Sequence, residues 1–537
     1  MKYIMKHIKS IFYTLIILFF CIVDQRRGSA PGQVQFVFVN LAGVAVCLLM
    51  FSAYKLKEFF RWPYWVWSII FAVGGIAVTY IRGEAIIYRG QWYTALINVW
   101  LIGLLVIKMI SKIFIEKYRP NFSKKALVLF LGFMLLACFS RNDSLWTWWY
   151  LVLFTLLYLT DFSLEDRERL FNAIPNGIIL GFFVIQGLAF VFRPYDVLRY
   201  PGLYANENMN ALFYSLVYCA FLGKYCLYYA KDKEIKFCRF RRITNLFFCG
   251  AMWSFVCFTM CRSAMLSMAV ATACAGIYCL FKVKKHIFRN ALGMVVGLAF
   301  FAVVCTPITY CAVRYLPPVF HHPIWFGGEY STDRVHSWDP IDSQKYITWE
   351  QIADTVWERL KELQVSKVDV ECDTYPRVCV VFARMDKCAL KSVLGYLTYE
   401  EFSTMSTVDV RMTIFGYYFK NLNLMGHTNN ETIFEITDYS CVPHAHNLLL
   451  QMAFMFGIPA GIFFVGWIGC GIIVTCKRAF GKNRDAKMAM MLLYYINIII
   501  FGMVEIVWLT GQLSFILLFL AAFLIFGKNG RQLKERD

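Results

Sequence analysis

The chain of 537 residues is 59% hydrophobic and 17% charged, with a mean hydropathy of +0.53. Soluble domains are about 45–50% apolar and about 25% charged, so this composition excludes the soluble globular classes. The net charge of +19 resembles that of a nucleic-acid-binding protein, but the basic residues are concentrated in alternate loops, which indicates membrane topology instead.

Apolar stretches of about 20 residues recur along the chain, and a helix of that length crosses the roughly 30 Å hydrocarbon core of a bilayer. The pattern predicts an all-α polytopic membrane protein with about 14 transmembrane helices. The first stretch also resembles a signal-peptide core, but it lacks a convincing cleavage site, so we expect an uncleaved span. The predicted spans are residues 6–23, 33–53, 62–81, 92–110, 126–140, 145–160, 171–191, 208–230, 243–260, 263–281, 288–310, 446–476, 486–508 and 512–527.

The distribution of Lys and Arg predicts the orientation of the chain. With a cytoplasmic N-terminus, the cytoplasmic loops and tails hold 34 of the 54 basic residues, and the short loops on the opposite side hold 8. This asymmetry follows the positive-inside rule, so we expect both termini to be cytoplasmic. The remaining 12 basic residues lie with 18 of the 35 acidic residues in one long segment, residues 311–445, which is therefore acidic on balance.

The chain therefore divides into three parts. We expect a membrane domain with spans 1–11 at residues 1–310, one large extracytoplasmic loop domain at residues 311–445, and a second membrane part at residues 446–537 that contains spans 12–14 and a cytoplasmic tail. The loop is far longer than an ordinary connection, so it is expected to carry function.

Two segments of this loop have helical patterns. Thr348 and Gln351 fit a capping box and are followed by apolar residues at helical spacing, which predicts an amphipathic helix over 348–364. Residues 409–422 show a second apolar helical face, which suits either the bilayer surface or the helix bundle. Elsewhere, the segment 340–405 matches no motif, so a lid, a partner site and control of chain length stay open as its role.

Polar residues at the edges of the spans concentrate on the outer side in the second half of the chain. They fall in four stretches, namely "RYPGLYANENMNA", "CRSA", "RMTIFGYYFKNLNLMG" and "HAHNLLLQMAFMFGIPAG". The residues of interest are Arg199, Gly202 and Asn208 in the first stretch, Arg262 in the second, Arg411 and Gly426 in the third, and His444, His446 and Asn447 in the fourth.

Each of these residues has an ordinary structural explanation when taken alone, such as an arginine that reaches lipid headgroups. Together, three arginines and two histidines on one face suit a pyrophosphate-linked substrate, because guanidinium groups bind phosphate oxygens with a planar fork. A histidine near neutral pKa accepts a proton from an attacking sugar hydroxyl. Two imidazoles two residues apart, without a third ligand, do not favour a metal site.

The four stretches, in this order, resemble the successive signatures of the O-antigen ligase and O-antigen polymerase superfamily. That family also has many spans and a large extracytoplasmic loop just before its histidine motif, and the resemblance covers roughly residues 170–510. It implies a C-type membrane glycosyltransferase in the bacterial plasma membrane. Such an enzyme moves a glycan from undecaprenyl pyrophosphate to an acceptor glycan or glycolipid on the outer face, without a metal, a cofactor or nucleic acid.

The resemblance also implies roles for individual residues. Arg199, Arg262 and Arg411 would hold the pyrophosphate, and His446, which precedes Asn447 as in the family's His-Asn pair, would be the catalytic base. His444 is the second candidate for the base, because it lies only two residues away. The supporting residues would be Gly202, Asn208, Gly426 and Asn447.

Three functions remain open at this point. A polymerase joins the glycan to a second carrier-linked repeat, and it is favoured slightly because such glycans generally need polymerisation. A ligase joins the glycan to a lipid core, a wall polymer or a protein. A transporter or flippase of lipid-linked oligosaccharide would use ionisable groups inside the membrane, and Glu505 is the only carboxylate well inside an apolar stretch.

Overall fold

The computed structural model describes residues 2–29, 32–83, 89–142, 145–193, 195, 199–204, 206–230, 236–282, 287–320, 348–368, 407–428, 431, 434–437, 440–442, 444–481, 484–505 and 512–527. This part of the chain forms helices, with one short antiparallel hairpin of strands β1 (Phe434–Thr437) and β2 (Ser440–Val442). The helices are α1 Lys2–Ser29, α2 Gly32–Phe51, α3 Trp62–Ile81, α4 Arg89–Ile110, α5 Lys124–Cys138, α6 Leu145–Leu159, α7 Leu164–Phe192, α8 Glu207–Ala230, α9 Lys236–Thr259, α10 Arg262–Lys282, α11 Ile287–Val319, α12 Trp349–Val368, α13 Thr407–Lys420, α14 Leu448–Phe456, α15 Ile458–Phe480, α16 Ala486–Gly502 and α17 Leu513–Phe526.

Apolar helices long enough to cross a bilayer make this a helical membrane protein, as predicted. Among the described residues, 8 helices pass this test by length and composition, and the apolar parts of α2, α6, α16 and α17 are shorter. The predicted number of fourteen spans and the orientation of the loops stay predictions. Most of the segment 340–405 lies outside the described residues.

The bundle is built around α8, which packs against α7, α9, α10 and α16. Lipid tails are as apolar as leucine, so helices in a membrane associate through close packing and hydrogen bonds rather than through the hydrophobic effect. Here Asn497 of α16 donates to Ser215 of α8 at 2.8 Å, and Tyr214 of α8 donates to Gln186 of α7 at 2.6 Å. These polar contacts fix the rotation of the helices that carry the site.

The amphipathic helix predicted in the loop is confirmed as α12. The backbone nitrogen of Thr348 donates to the Gln351 side chain at 2.9 Å, and that of Gln351 donates to the Thr348 hydroxyl at 3.2 Å. These are the two reciprocal bonds of a capping box. The ring of Trp349 packs edge-on against Tyr310 of α11, with centroids 5.5 Å apart, so the start of α12 is fixed to the bundle.

One predicted span is divided in the structure. The prediction of a continuous helix over 446–476 is wrong, because the chain breaks at Gly457 into α14 and α15. Gly457 has a φ of +91°, a conformation that residues with a Cβ rarely adopt, and a proline follows near the start of α15. Residues 446 and 447 therefore precede a short helix rather than opening a long one.

The break at Gly457 is a docking point for the segment that follows α13. Gly426, with a φ of +75°, lies backbone to backbone against it, and a Cβ on Gly426 would fall 2.2 Å from the carbonyl oxygen of Met455. The backbone nitrogen of His427 donates to that carbonyl at 3.2 Å, and that of Ile458 donates to Asn423 at 2.9 Å. Gly426, predicted as a supporting residue, thus has a structural role in this contact.

Replacement of Gly426 by alanine is expected to lower the melting temperature of the detergent-purified protein clearly. The positive φ alone costs about 1–2 kcal/mol with a Cβ, and the contact with Met455 adds to that cost. Gly74→Ala in α3 is the matched control, because its Cβ meets nothing within 4 Å and alanine favours the helix. Equal melting temperatures for the two variants would contradict this account of the break.

Candidate active site

The carboxylate of Glu505, just beyond the end of α16, joins residues from three other parts of the chain. Its Oε1 accepts from Arg411 Nη2 at 2.8 Å and from Asn208 Nδ2 at 3.2 Å, and its Oε2 lies 3.2 Å from His446 Nδ1. The Glu505 side chain is only 9% exposed. We call Arg199, Asn208, Arg411, His446 and Glu505 the Glu505 cluster.

Asn208 extends the cluster to Arg199. The Asn208 amide oxygen accepts from Arg199 Nη2, while its amide nitrogen donates to Glu505. The Nε of Arg199 also donates to the carbonyl of Thr259, at the end of α9, at 2.9 Å. One carboxyl oxygen of Glu207 lies 3.8 Å from Arg199 Nη1. The guanidinium of Arg199 therefore joins the first stretch to the end of α9, just before the second stretch.

The chain reaches this position through a compact turn before α8. The backbone nitrogen of Tyr200 donates to the carbonyl of Phe258 at 2.8 Å, beside the bond from Arg199 to Thr259. Gly202 has a φ of +55°, and a Cβ there would lie 2.9 Å from the Asn210 side chain. Gly202 thus has a structural role, because it allows the turn that aims Arg199 at the cluster.

Arg262 lies beside the cluster but does not bond to it. It is the first residue of α10, after a tight turn in which Met260 has a φ of +50°. Its side chain is exposed and makes no hydrogen bond or ion pair with any described residue. The preceding Cys261 lies within electrostatic range of Glu505 and Arg199. Arg262 is therefore an uncommitted cation at the edge of the cluster.

His446 is held by a carboxylate and His444 is not. His446 has a φ of +49°, and its Nδ1 faces Glu505. Its Nε2 has no hydrogen-bond partner among the described residues. When Nδ1 carries the proton and donates to the carboxylate, Nε2 presents a lone pair to an incoming hydroxyl. The two imidazole rings lie edge to face, with centroids 4.2 Å apart.

His444 lies in a drier environment. Its pKa is lowered from the usual 6.5 to about 4, mainly because the side chain is buried and also because His446 lies beside it, against the opposite effect of Glu505. Its Nδ1 is buried and has no hydrogen-bond partner in the described part of the chain. His444 is therefore neutral at physiological pH and lacks the orienting partner that His446 has.

Asn447 fixes the backbone on both sides of the site. Its amide oxygen caps α14 by accepting from the backbone nitrogens of Leu449 and Leu450, each at 3.1 Å. Its amide nitrogen donates to the carbonyl of Met503 at 3.1 Å, two residues before Glu505. Asn447 thus ties the histidine segment to the turn that carries the carboxylate.

Arg411 reaches the cluster because α13 docks onto α14. Ile414 and Tyr418 of α13 form a small buried cluster with Ala445 and Phe454, and the rings of Tyr418 and Phe454 are 4.6 Å apart. The apolar face of this helix suited either the bilayer surface or the helix bundle, and the structure shows it packed in the bundle. Arg411 remains 31% exposed, so part of its guanidinium faces solvent.

The predicted residues thus fall into three groups. Arg199, Asn208, Arg411 and His446 are joined through Glu505, and Arg262 and His444 lie next to them. The predicted supporting residues Gly202, Gly426 and Asn447 shape the backbone around them.

Glu505 itself was missed as a site residue. The signal that could have found it was its isolation in an apolar stretch, since such a carboxylate requires a partner.

The charge of the site suits an anion better than a cation. Three guanidinium groups, those of Arg199, Arg262 and Arg411, face two carboxylates, those of Glu207 and Glu505. No group of three or more metal-ligating side chains occurs within the described ranges. With neutral histidines the site carries one net positive charge, which favours a phosphate-bearing ligand.

Comparison with known proteins does not assign this geometry to a family. The chain matches no protein-family model, and it matches no curated protein at a significant level. The chemistry of the Glu505 cluster is therefore the basis for assigning a function.

His444 gives the protein a specific sensitivity to acid. Between pH 6.5 and pH 4 the unfolded chain binds a proton at His444 that the folded chain does not, so stability falls as the pH is lowered through this window. We expect the free energy of unfolding of wild type to fall by up to ~1.4 kcal/mol per pH unit relative to that of His444→Phe. Thermal unfolding between pH 7 and pH 4.5 measures this, and parallel curves for the two proteins would contradict it.

Proposed function

We propose that this protein is a metal-independent glycosyltransferase of the bacterial plasma membrane, and specifically a polymerase of an O-antigen-type surface polysaccharide. The observation that carries the proposal is the Glu505 cluster, in which one buried carboxylate holds both a histidine and an arginine. This arrangement supplies a general base beside groups that bind phosphate. The ordered resemblance of the four stretches to the O-antigen ligase and polymerase superfamily supports the same reaction class.

The proposed reaction transfers a glycan between two lipid-linked chains. His446 Nε2 accepts the proton of a hydroxyl on the acceptor sugar, and the oxygen attacks the anomeric carbon of the donor glycan. The bond from that carbon to the pyrophosphate oxygen breaks, and undecaprenyl pyrophosphate leaves with the electron pair. General-base catalysis of this kind contributes about 10²–10⁴-fold to the rate.

The arginines would stabilise the leaving group. Arg262 has no partner among the described residues, and Arg199 and Arg411 are 28% and 31% exposed, so each still offers donors to a ligand. Negative charge accumulates on the pyrophosphate as the glycosidic bond breaks, and fixed guanidinium donors lower the energy of that transition state. We expect this step on the outer face, where the short loops carry few basic residues.

Glu505 would act as a positioning residue. A carboxylate that accepts from one ring nitrogen of a histidine holds the tautomer with the other nitrogen free, and it stabilises the imidazolium that forms. The same carboxylate is bonded to Arg411. Glu505 is the carboxylate inside an apolar stretch that had favoured a transporter. Its pairing with Arg411 and His446 gives it a role in the proposed transferase instead.

The decisive experiment uses purified protein, undecaprenyl-pyrophosphate-linked oligosaccharide and no metal, with the products separated on a gel. We expect wild type to produce a ladder of longer lipid-linked glycans. His446→Ala should lower turnover about 10²–10⁴-fold, and Arg262→Ala should also suppress the ladder because it removes a phosphate-binding cation. His444→Ala should retain most of the activity, since His446 is the residue held by Glu505.

The products distinguish the remaining functions. A single transfer that needs a separate lipid, wall or protein acceptor would make the protein a ligase instead. Failure to transfer under all conditions, together with movement of labelled lipid across a vesicle bilayer, would overturn the enzyme in favour of a flippase.

A second prediction concerns Glu505 alone. Glu505→Gln keeps the shape of the side chain but removes its charge, so we expect kcat to fall about 10²-fold or more while KM for the donor changes less. Glu505→Asp should recover part of the loss. Glu431→Gln is the matched control, because that carboxylate is exposed, pairs with Arg141 and makes no bond to His446. Equal kcat values for the two Gln variants would remove Glu505 from the mechanism.

A further inference from the structure

The opposite end of the bundle carries an unexplained cation. Lys224 lies on α8 four turns beyond Asn208, which places it about 24 Å along the helix from the candidate active site. Its side chain is half-buried, and it makes no hydrogen bond or ion pair with the described residues. Cations that are partly removed from water are normally paired, so Lys224 is suited to bind an anion.

A second cation lies close to Lys224. Arg241 of α9 lies within electrostatic range of the Lys224 ammonium and adds a second positive charge to the same region. Arg241 is held in place by Tyr228, whose hydroxyl accepts from it at 2.7 Å and whose ring lies 5.4 Å from the guanidinium carbon. Two cations thus converge where α8 and α9 pack together.

An exposed apolar strip lies directly beside these cations. Phe240, Ile243 and Phe247 recur at helical spacing on α9 and are 68%, 48% and 36% exposed. Phe240 is the immediate neighbour of Arg241 in the chain. Two cations next to an apolar helix face suit an amphiphile that has a phosphate headgroup and acyl chains. Free phosphate would use the cations but not the apolar face.

We propose that Lys224 and Arg241 form a binding site for the headgroup of an anionic phospholipid, whose acyl chains lie along Phe240, Ile243 and Phe247. The lipid phosphate would supply an anionic partner to Lys224, with Arg241 beside it, and so join α8 to α9. The site is separate from the proposed reaction, so it stands or falls independently of the glycosyltransferase function. By the positive-inside rule it faces the cytoplasmic leaflet.

The test counts phospholipid retained by the purified protein, using mass spectrometry after detergent washing. We expect wild type and Lys224→Arg to retain phosphatidylglycerol, and Lys224→Gln to bind it about fivefold more weakly. Lys487→Gln is the matched control, because it removes the same charge from an ion pair with Glu168. It should retain lipid as wild type does.

A titration of lipid-stripped protein separates the possible ligands. Phosphatidylglycerol should raise the melting temperature of wild type and not of Lys224→Gln, with circular dichroism used to confirm that the variant is folded. Equal stabilisation by phosphatidylcholine or by inorganic phosphate would overturn the assignment to an anionic lipid. Equal phosphatidylglycerol binding by Lys224→Gln and wild type would overturn the site.

Discussion

An ionised carboxylate that has been largely removed from water must be compensated by cations or hydrogen bonds, and otherwise it binds a proton. At Glu505 the compensation comes from Arg411, His446 and Asn208, which reach it from different parts of the chain. Their positions are coupled, because loss of any one contact leaves the carboxylate under-compensated. The docking of α13, the cap of α14 and the turn before α8 bring these partners to the carboxylate.

The arrangement explains why the polar residues of the site are distributed so widely along the sequence. Arg199 and Glu505 are about 300 positions apart, yet a single asparagine bridges them through the two ends of its amide. An amide serves here because it donates to the carboxylate and accepts from the guanidinium at once. A residue with only one of these functions would leave one charge without its bond.

Hydropathy and charge patterning were sufficient to predict the helical membrane class. A sequence motif was sufficient to predict the start of a helix where all the bonds of the motif lie within a few residues. The capping box of Thr348 and Gln351 is an example, since both partners lie within one helical turn. The break at Gly457 was missed because its cause is distant. The backbone of Gly426 occupies the space there, and a run of apolar residues gives no sign of that contact.

The same limit applies to the site. Arginine and histidine at membrane edges are unusual enough to be noticed singly, and the ordered motifs grouped them before any geometry was known. The role of Glu505 could not be assigned, because a lone carboxylate in an apolar stretch suits a transport pathway as well as a positioning role. The contacts with Arg411 and His446 are what relate Glu505 to the other site residues, and the sequence alone does not show them.

The part of the chain from α12 to Gly426 is docked on the bundle at two points, and this limits where such a protein can change without disturbing the site. The start of α12 is fixed against Tyr310, and the stretch after α13 is fixed at the glycine contact of Gly426 and Gly457. Sequence between α12 and α13 can lengthen, shorten or change character without moving Arg411 or the histidines, because α13 is held separately by its packing on α14. Under the proposed function, the geometry of the reacting groups and the sequence between α12 and α13 can therefore change independently of each other.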